Sequence, residues 1–200
     1  EGDMNVLVQN IQVQRSEAFR KLEVIAWSKA QEMTRLVDMW RRDALDVSCD
    51  PDVVAGIQAL ANGFHDLGDS QVQAMYQEKN GSQDPRAETP YTAIHVEQHQ
   101  FFSNYVDIHG YEDALLIDLH GNVIYSVQKN QIFGTNLLSG PFQNSQLAAL
   151  YQALREAPAD AASLTDVELL NDEVMLFIGT PVYDKASPLG LSLIHISEPT

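Results

Sequence analysis

A chain of 200 residues, 44% hydrophobic and 20% charged, has room for one good-sized domain and enough apolar residues to build its core. Its 12 Lys and Arg stand against 28 Asp and Glu, a formal net charge of −16 that repels phosphate backbones and anionic lipid surfaces and argues against nucleic acid as a partner. Cys49 is the lone cysteine, which excludes an internal disulfide and a thiolate zinc cluster, and no window reaches the ~18 consecutive apolar residues of a membrane-spanning helix. The chain opens at Glu1 without a signal-peptide pattern, so it reads as a fragment of a longer protein, with residues 1–9 a poorly ordered start.

Residues 10–47 contain neither proline nor glycine, and Leu22, Ile25, Ala26, Met33, Leu36, Val37, Trp40, Ala44 and Val47 recur at steps of three and four. This predicts one amphipathic helix of about ten turns, a spine far longer than the three or four turns usual in globular domains. Asp50-Pro51 is the cap and first turn of the next helix, and residues 51–76 read as two shorter helices parted near Gly68. Residues 80–90 are a polar loop, whose Asn80-Gly81-Ser82 matches a glycosylation acceptor, and residues 91–108 return to helical spacing.

The period then changes. Residues 114–119 and 123–127 are short apolar runs joined through His120-Gly121-Asn122, a hairpin signal. A loop, a helix over 144–155 and a Pro/Asp/Ala connector lead to a second hairpin, 167–170 with 174–182, turning at Asn171-Asp172. Helices first and antiparallel strands afterwards make an α+β fold, since alternating βα units are missing. Residues 10–109 form its helical half and 110–190 its sheet, together one domain.

Enzyme motifs do not stand out. Asp118-x-His120-Gly121 has no second carboxylate, metal cluster or nucleophile near it in sequence, whereas an aspartate before a turn accepts backbone hydrogen bonds and glycine supplies positive φ. His95 and His99 share a helix face, but the order H-x-E-x-H is not the HExxH of metalloproteases, and neither His65 nor His109 is marked as a third ligand. No phosphate-binding loop or GxSxG elbow occurs. No metal or cofactor is therefore predicted. Residues suited to line a small-molecule pocket are Tyr125, Phe133, Thr135 and Asn136 after the second strand, with Tyr183 and Asp184 at the end of a later one.

The runs SEAFRKLEVIAWSKAQ, SCDPDVVAGIQAL, FHDLGDSQVQAMYQEKN and HQFFSNYVDIHGYEDALLID, followed by GNVIYSVQKNQIFGTNLLSGPFQNSQLA and FIGTPVYD, span most of residues 15–185. Over them the chain resembles the extracytoplasmic Cache domains of bacterial transmembrane receptors, the PAS-like periplasmic sensors with an extended helical N-terminal half. The resemblance implies a long helix descending from the membrane and an antiparallel sheet with a ligand cavity on one face. It implies a periplasmic domain that senses a small molecule for a chemoreceptor, histidine kinase or nucleotide cyclase, with the membrane anchors outside this chain and the long helices pairing in a homodimer. Tyr111-Glu112-Asp113 departs from the Tyr-Asp usual after Gly-Tyr, and amine- and amino-acid-binding signatures are not evident, so no ligand class follows. A dimerising ectodomain without ligand and a metal-dependent enzyme stand as alternatives.

Residues 191–200, LSLIHISEPT, are similar over their whole length to the conceptual translation of a transposon-based sequencing adapter. They are expected to be a non-native tail after Gly190, and His195 is given no role. Their composition is nonetheless that of a strand.

Overall fold

The computed structural model describes residues 2–68, 71, 72, 74, 76, 89–170 and 173–196. The Asn80-Gly81-Ser82 motif, the Asn171-Asp172 turn and the last four residues of the tail lie outside them. The chain divides into two compact units, Glu1–Trp40 and Arg41–Thr200.

Helix α1 (Gly2–Ser48) makes up the first unit and enters the second. It begins at Gly2, so residues 2–9 are helical instead of irregular; nothing in them breaks a helix. Within the first unit Val8, Ile11, Leu22 and Ile25 are exposed, and Lys29 donates to Glu32 at 2.7 Å on the following turn.

In the second unit the last turns of α1 bury Ala44 and Val47. Asp50 then caps α2 (Pro51–Leu67), its carboxylate accepting from the Asp52 amide at 2.8 Å with Pro51 in the first turn. Gly68, at φ 83°, ends α2 and donates to the Phe64 carbonyl at 2.9 Å. Helix α3 (Pro90–His109) starts with a reciprocal cap: the Thr92 amide donates to Thr89 Oγ1 at 3.1 Å, and the Thr89 amide to Thr92 Oγ1 at 2.9 Å. Left-handed Gly110 closes it.

Strands β1 (Asp113–Asp118) and β2 (Val123–Ser126) form the first hairpin, as expected. Helix α4 (Gln146–Leu154) and the strands β3 (Ser163–Leu164), β4 (Glu168–Leu170), β5 (Glu173–Met175), β6 (Phe177–Asp184) and β7 (Ser187–His195) complete the unit. The main sheet has the order β2-β1-β7-β6-β3, with every pairing antiparallel. The expected second hairpin is shorter than its apolar run. Only β5 pairs with β4, because the Leu176 carbonyl accepts the Ile196 amide at 2.9 Å and the chain changes partner there.

The sheet is covered on both faces. On one, Leu115, Ile117, Leu191 and Leu193 pack with Leu147, Leu150, Tyr151 and Leu154 of α4. Gly179 makes room for that helix, since a Cβ there would stand 3.1 Å from both Leu154 and Leu193. On the other lie α2 and α3. A Cβ at Gly190 would meet the Ile117 carbonyl oxygen at 2.1 Å and Ile57 Cδ1 at 2.9 Å. Helices α2 and α3 meet through two glycines: Gly56 lies under Gln98, and Gly63 would bring a Cβ to 3.0 Å of Tyr91 Cα. The two contacts run in opposite senses along the helices, so the pair is antiparallel.

The adapter-like tail contributes the inner half of the central strand. Leu191, Leu193, Ile194 and Ile196 are all buried, and β7 separates β1 from β6. A chain ending at Gly190 is therefore expected to lose cooperative thermal unfolding by circular dichroism, and other apolar residues at 191, 193, 194 and 196 to restore it. Gly63→Ala presses a methyl on the α3 backbone and is expected to destabilise by about 1–3 kcal/mol in urea unfolding.

Candidate functional site

Four residues of α3, Tyr91, His95, His99 and Phe102, fall at helical spacing along one face and meet the edge of the sheet at β2. The Tyr91 hydroxyl donates to the Ile124 carbonyl at 2.7 Å. Tyr125 Oη and His99 Nδ1 are 2.9 Å apart, and the Phe102 and Tyr125 rings are 5.1 Å apart. His95 lies at the centre, its ring centroid 5.2 Å from His99, 5.4 Å from Tyr125 and 4.9 Å from Tyr76. Phe133 stands edge-on to Tyr76 at 5.5 Å.

Charge enters this aromatic cluster through Lys129. Its backbone is left-handed at φ 51°, and it is held there by a 2.7 Å bond from its amide to Ser126 Oγ. The side chain is only 7% exposed. Nζ lies 5.3 Å from the Tyr76 ring centroid and 5.7 Å from that of Tyr125, and donates to the Val127 carbonyl at 3.3 Å.

Asp113 fixes this turn. Its Oδ1 accepts the amides of Ala114, Val127 and Gln128 at 2.8, 2.8 and 3.1 Å, and its Oδ2 accepts the Ser126 hydroxyl at 2.7 Å. Burial raises this carboxyl to about 6, with Ser126 and the three amides pulling the other way. Burial lowers Lys129 to about 8, opposed by the charge of Asp113. It lowers His95 to about 2 and His99 to about 4, and Lys129 adds to both shifts. The Tyr125 phenol is driven up by burial first. Which of His99 Nδ1 and the Tyr125 hydroxyl donates in their hydrogen bond follows from the histidine tautomer.

His95 is wholly buried, and neither ring nitrogen has a hydrogen-bond partner. Buried polar groups are nearly always paired, so two orphaned atoms on one ring call for an explanation.

The residues singled out in the sequence do not gather in one place. Tyr125 and Phe133 belong to this cluster. Thr135 and Asn136 hold the loop beside it: Thr135 Oγ1 donates to the Ile132 carbonyl at 2.7 Å, and Asn136 Nδ2 to the His120 carbonyl at 2.9 Å. Tyr183 donates to the Ala157 carbonyl at 2.8 Å, and Asp184 sits at the β6–β7 turn opposite Ser187, so both belong to another part of the sheet. Sequence reasoning missed Lys129 and Asp113. Apart from the departure at 111–113, neither carries a motif.

Asp118 shapes the β1–β2 corner as its pattern predicts. It accepts the amides of His120 and Asn122 at 2.8 and 2.9 Å, while Gly121 takes φ 85°. The fold adds what the sequence hid, His65 Nε2 at 3.1 Å from Asp118 Oδ2. Among the described residues no group of three or more His, Cys, Asp or Glu is placed to hold a metal.

No family model matches this chain, and no curated protein matches it. Solved structures do. The sensor domain of the V. cholerae histidine kinase DctB is similar at 17% identity, over 84% of this chain and 51% of that one, with a TM-score of 0.50. The E. coli DcuS sensor domain is similar at 12% identity, over 82% and 90%, with a TM-score of 0.48. The ligand-binding domain of the Campylobacter jejuni chemoreceptor Tlp3, in complex with 4-methylisoleucine, gives 12%, 80%, 59% and 0.40. The DctB likeness shows the fold alone, helices followed by an antiparallel sheet in an α+β arrangement. This chain spans about half of that domain's length.

The histidines make stability depend on pH. Both titrate below their unfolded value of 6.5, so what they contribute is present in full above that pH and lost as pH falls toward about 4 and about 2. Urea unfolding from pH 7 to pH 5 is expected to show falling stability, the His95 part by up to about 1.4 kcal/mol per pH unit and less for part-solvated His99, offset in part below pH about 6 where the raised Asp113 carboxyl takes up a proton in the folded state. His95→Phe is expected to flatten that slope.

Proposed function

We propose that this chain is the extracytoplasmic small-molecule-sensing domain of a bacterial transmembrane signalling receptor. The observation that carries the reading is His95, buried with both ring nitrogens unpartnered and its ring 4.9 Å from Tyr76 and 5.4 Å from Tyr125, the two rings that Lys129 Nζ approaches. A small molecule with polar groups facing these atoms would satisfy them, and aromatic walls with a few fixed polar groups are what such sites are made of. The reading is of a binding module and not an enzyme. Asp118 and His65 form a carboxylate–imidazole pair, but the carboxylate also anchors a turn. No helix among the described residues is long and apolar enough to cross a membrane.

Helix α3 supplies a route for the signal. It bears His95 and His99 near its middle, and at its end the Tyr105 hydroxyl donates to the Asp43 carbonyl of α1 at 2.9 Å. The Tyr111 hydroxyl donates to Asp43 Oδ2, and His109 Nδ1 lies 3.3 Å from the same oxygen. Ligand that tilts α3 or displaces the 133–136 loop biases α1 between two positions and so the output beyond it. Along α1, Met4, Val8 and Ile11, and after Arg15 at the next seam position Ala18, Leu22 and Ile25, are exposed at steps of four and three, a seam suited to a second copy.

A thermal-shift screen of amino acids, organic acids, amines and nucleobases tests the reading. A true ligand at a hundred times its dissociation constant is expected to stabilise by about 2.7 kcal/mol. Hydrogen exchange around Asp43 is expected to change with it, and unchanged exchange there would remove α3 as the route. Leu22→Glu with Ile25→Glu is expected to shift a dimer to monomer in sedimentation, leaving the ligand response of each domain intact.

A further inference from the structure

The main sheet ends on one side at β3, two residues long, with no strand beyond it among the described residues. The Thr165 amide donates to the Phe177 carbonyl at 2.8 Å, and Ser163 stands opposite Gly179. Bonded residues alternate along an antiparallel ladder, so the amide and carbonyl of Leu164, between them, face away from β6. Beside this edge a groove of about 210 Å³ opens between β3 and α4, lined by Ala149, Leu150, Ala153, Ser163, Leu164 and Asp166 among others. Ala149 and Ala153 are exposed, one turn apart on α4. Acids dominate here. Residues 155–168 carry Glu156, Asp160, Asp166 and Glu168 against one cation, Arg155, which lies 3.3 Å from Glu156. Glu168 reaches the groove at Gln146, its Oε2 accepting that amide at 2.8 Å. One residue before β3, the Ala162 carbonyl accepts from Arg41 Nη2 at 3.3 Å, so a guanidinium is what this edge already holds.

We propose that the β3 edge and the α4 groove dock an extended segment of a partner protein in which apolar residues alternate with Lys or Arg. The segment pairs with Leu164 as a sixth strand. Side chains alternate between the two faces of a strand, so its apolar residues enter the groove on the α4 face. Its cations meet Asp166 and the acids flanking β3. In strand addition of this kind main-chain hydrogen bonds give affinity, and pockets for alternate side chains give specificity. A second copy of this chain is a poor occupant, because its own edge brings the same acids against these. The surface shares no residue with the aromatic cluster around His95, so it stands or falls apart from the sensing reading.

Short labelled peptides of equal length separate the contributions when titrated against the whole chain by fluorescence polarisation. The set is a Lys-Val repeat, a Lys-Ser repeat, a Glu-Val repeat and a Lys-Val repeat with alternate amides N-methylated. The Lys-Val repeat is expected to bind above the other three, and less tightly as salt is added. On binding, the Leu164 amide is expected to gain protection from hydrogen exchange. Ala149→Arg with Ala153→Arg, both at exposed positions, places like charge in the groove and is expected to weaken binding by at least about tenfold. Should that variant unfold, Leu164 exchange in the unaltered chain decides, and an unmoved rate overturns the docking. Equal binding of the Glu-Val or the N-methylated repeat overturns it too, as does no binding of the Lys-Val repeat. Self-association in sedimentation that the two arginines abolish gives the face to a second copy and overturns the proposal.

Discussion

The Asp113 carboxylate sits where the strands, the turn and the buried cation have to agree. Its oxygens gather donors from the start of β1, from the two residues after β2 and from Ser126, which in turn accepts the Lys129 amide. A buried carboxylate left without such donors would be strongly disfavoured, so the satisfied geometry is narrow. It sets the end of the β1–β2 ladder and the left-handed turn at Lys129. The position of the cation among Tyr76, Tyr125 and the two histidines follows from it.

Helix packing fixes the opposite wall. Gly56 and Gly63 let α3 come close to α2, and the face of α3 that remains carries Tyr91, His95, His99 and Phe102 to the sheet. Because α3 also reaches Asp43 through Tyr105 and, just beyond its end, Tyr111, the histidines and the end of α1 are attached to one rigid rod. Interiors this closely packed transmit a displacement instead of absorbing it.

Local chemistry was readable before the fold was known. Asp50-Pro51, Gly68, Gly110 and the Asp118–Gly121 corner each act through neighbours a few residues away, and their types alone imply their geometry. The helical half and the first hairpin follow from periodicity in the same way. The site was only half legible, because its members are brought together by packing over long separations. Tyr125 and Phe133 are found by their position after a strand, but Lys129 looks like an ordinary loop lysine until Ser126 and Asp113 turn it inward. Tyr183 and Asp184 share the look of pocket residues, yet the β6–β7 register carries them away. The second hairpin was misjudged in extent because 174–182 is one apolar run, and only pairing with β7 divides it.

The strand order also sets a clock. Neighbours in the sheet, Leu115 on β1 and Leu193 on β7, are roughly eighty residues apart along the chain, with α4 and five strands between them. The β1–β2 hairpin and the β6–β7 pair can form locally, but joining them means closing that long loop before much burial rewards it. Domains dominated by such distant pairings fold slowly. In the interval β1 presents an open, wholly apolar edge of Ala114, Leu115, Leu116 and Ile117 to whatever strand is nearest. For this domain, then, the hazard lies in the time before β7 arrives, when an intermolecular strand competes for the place that β7 has yet to reach.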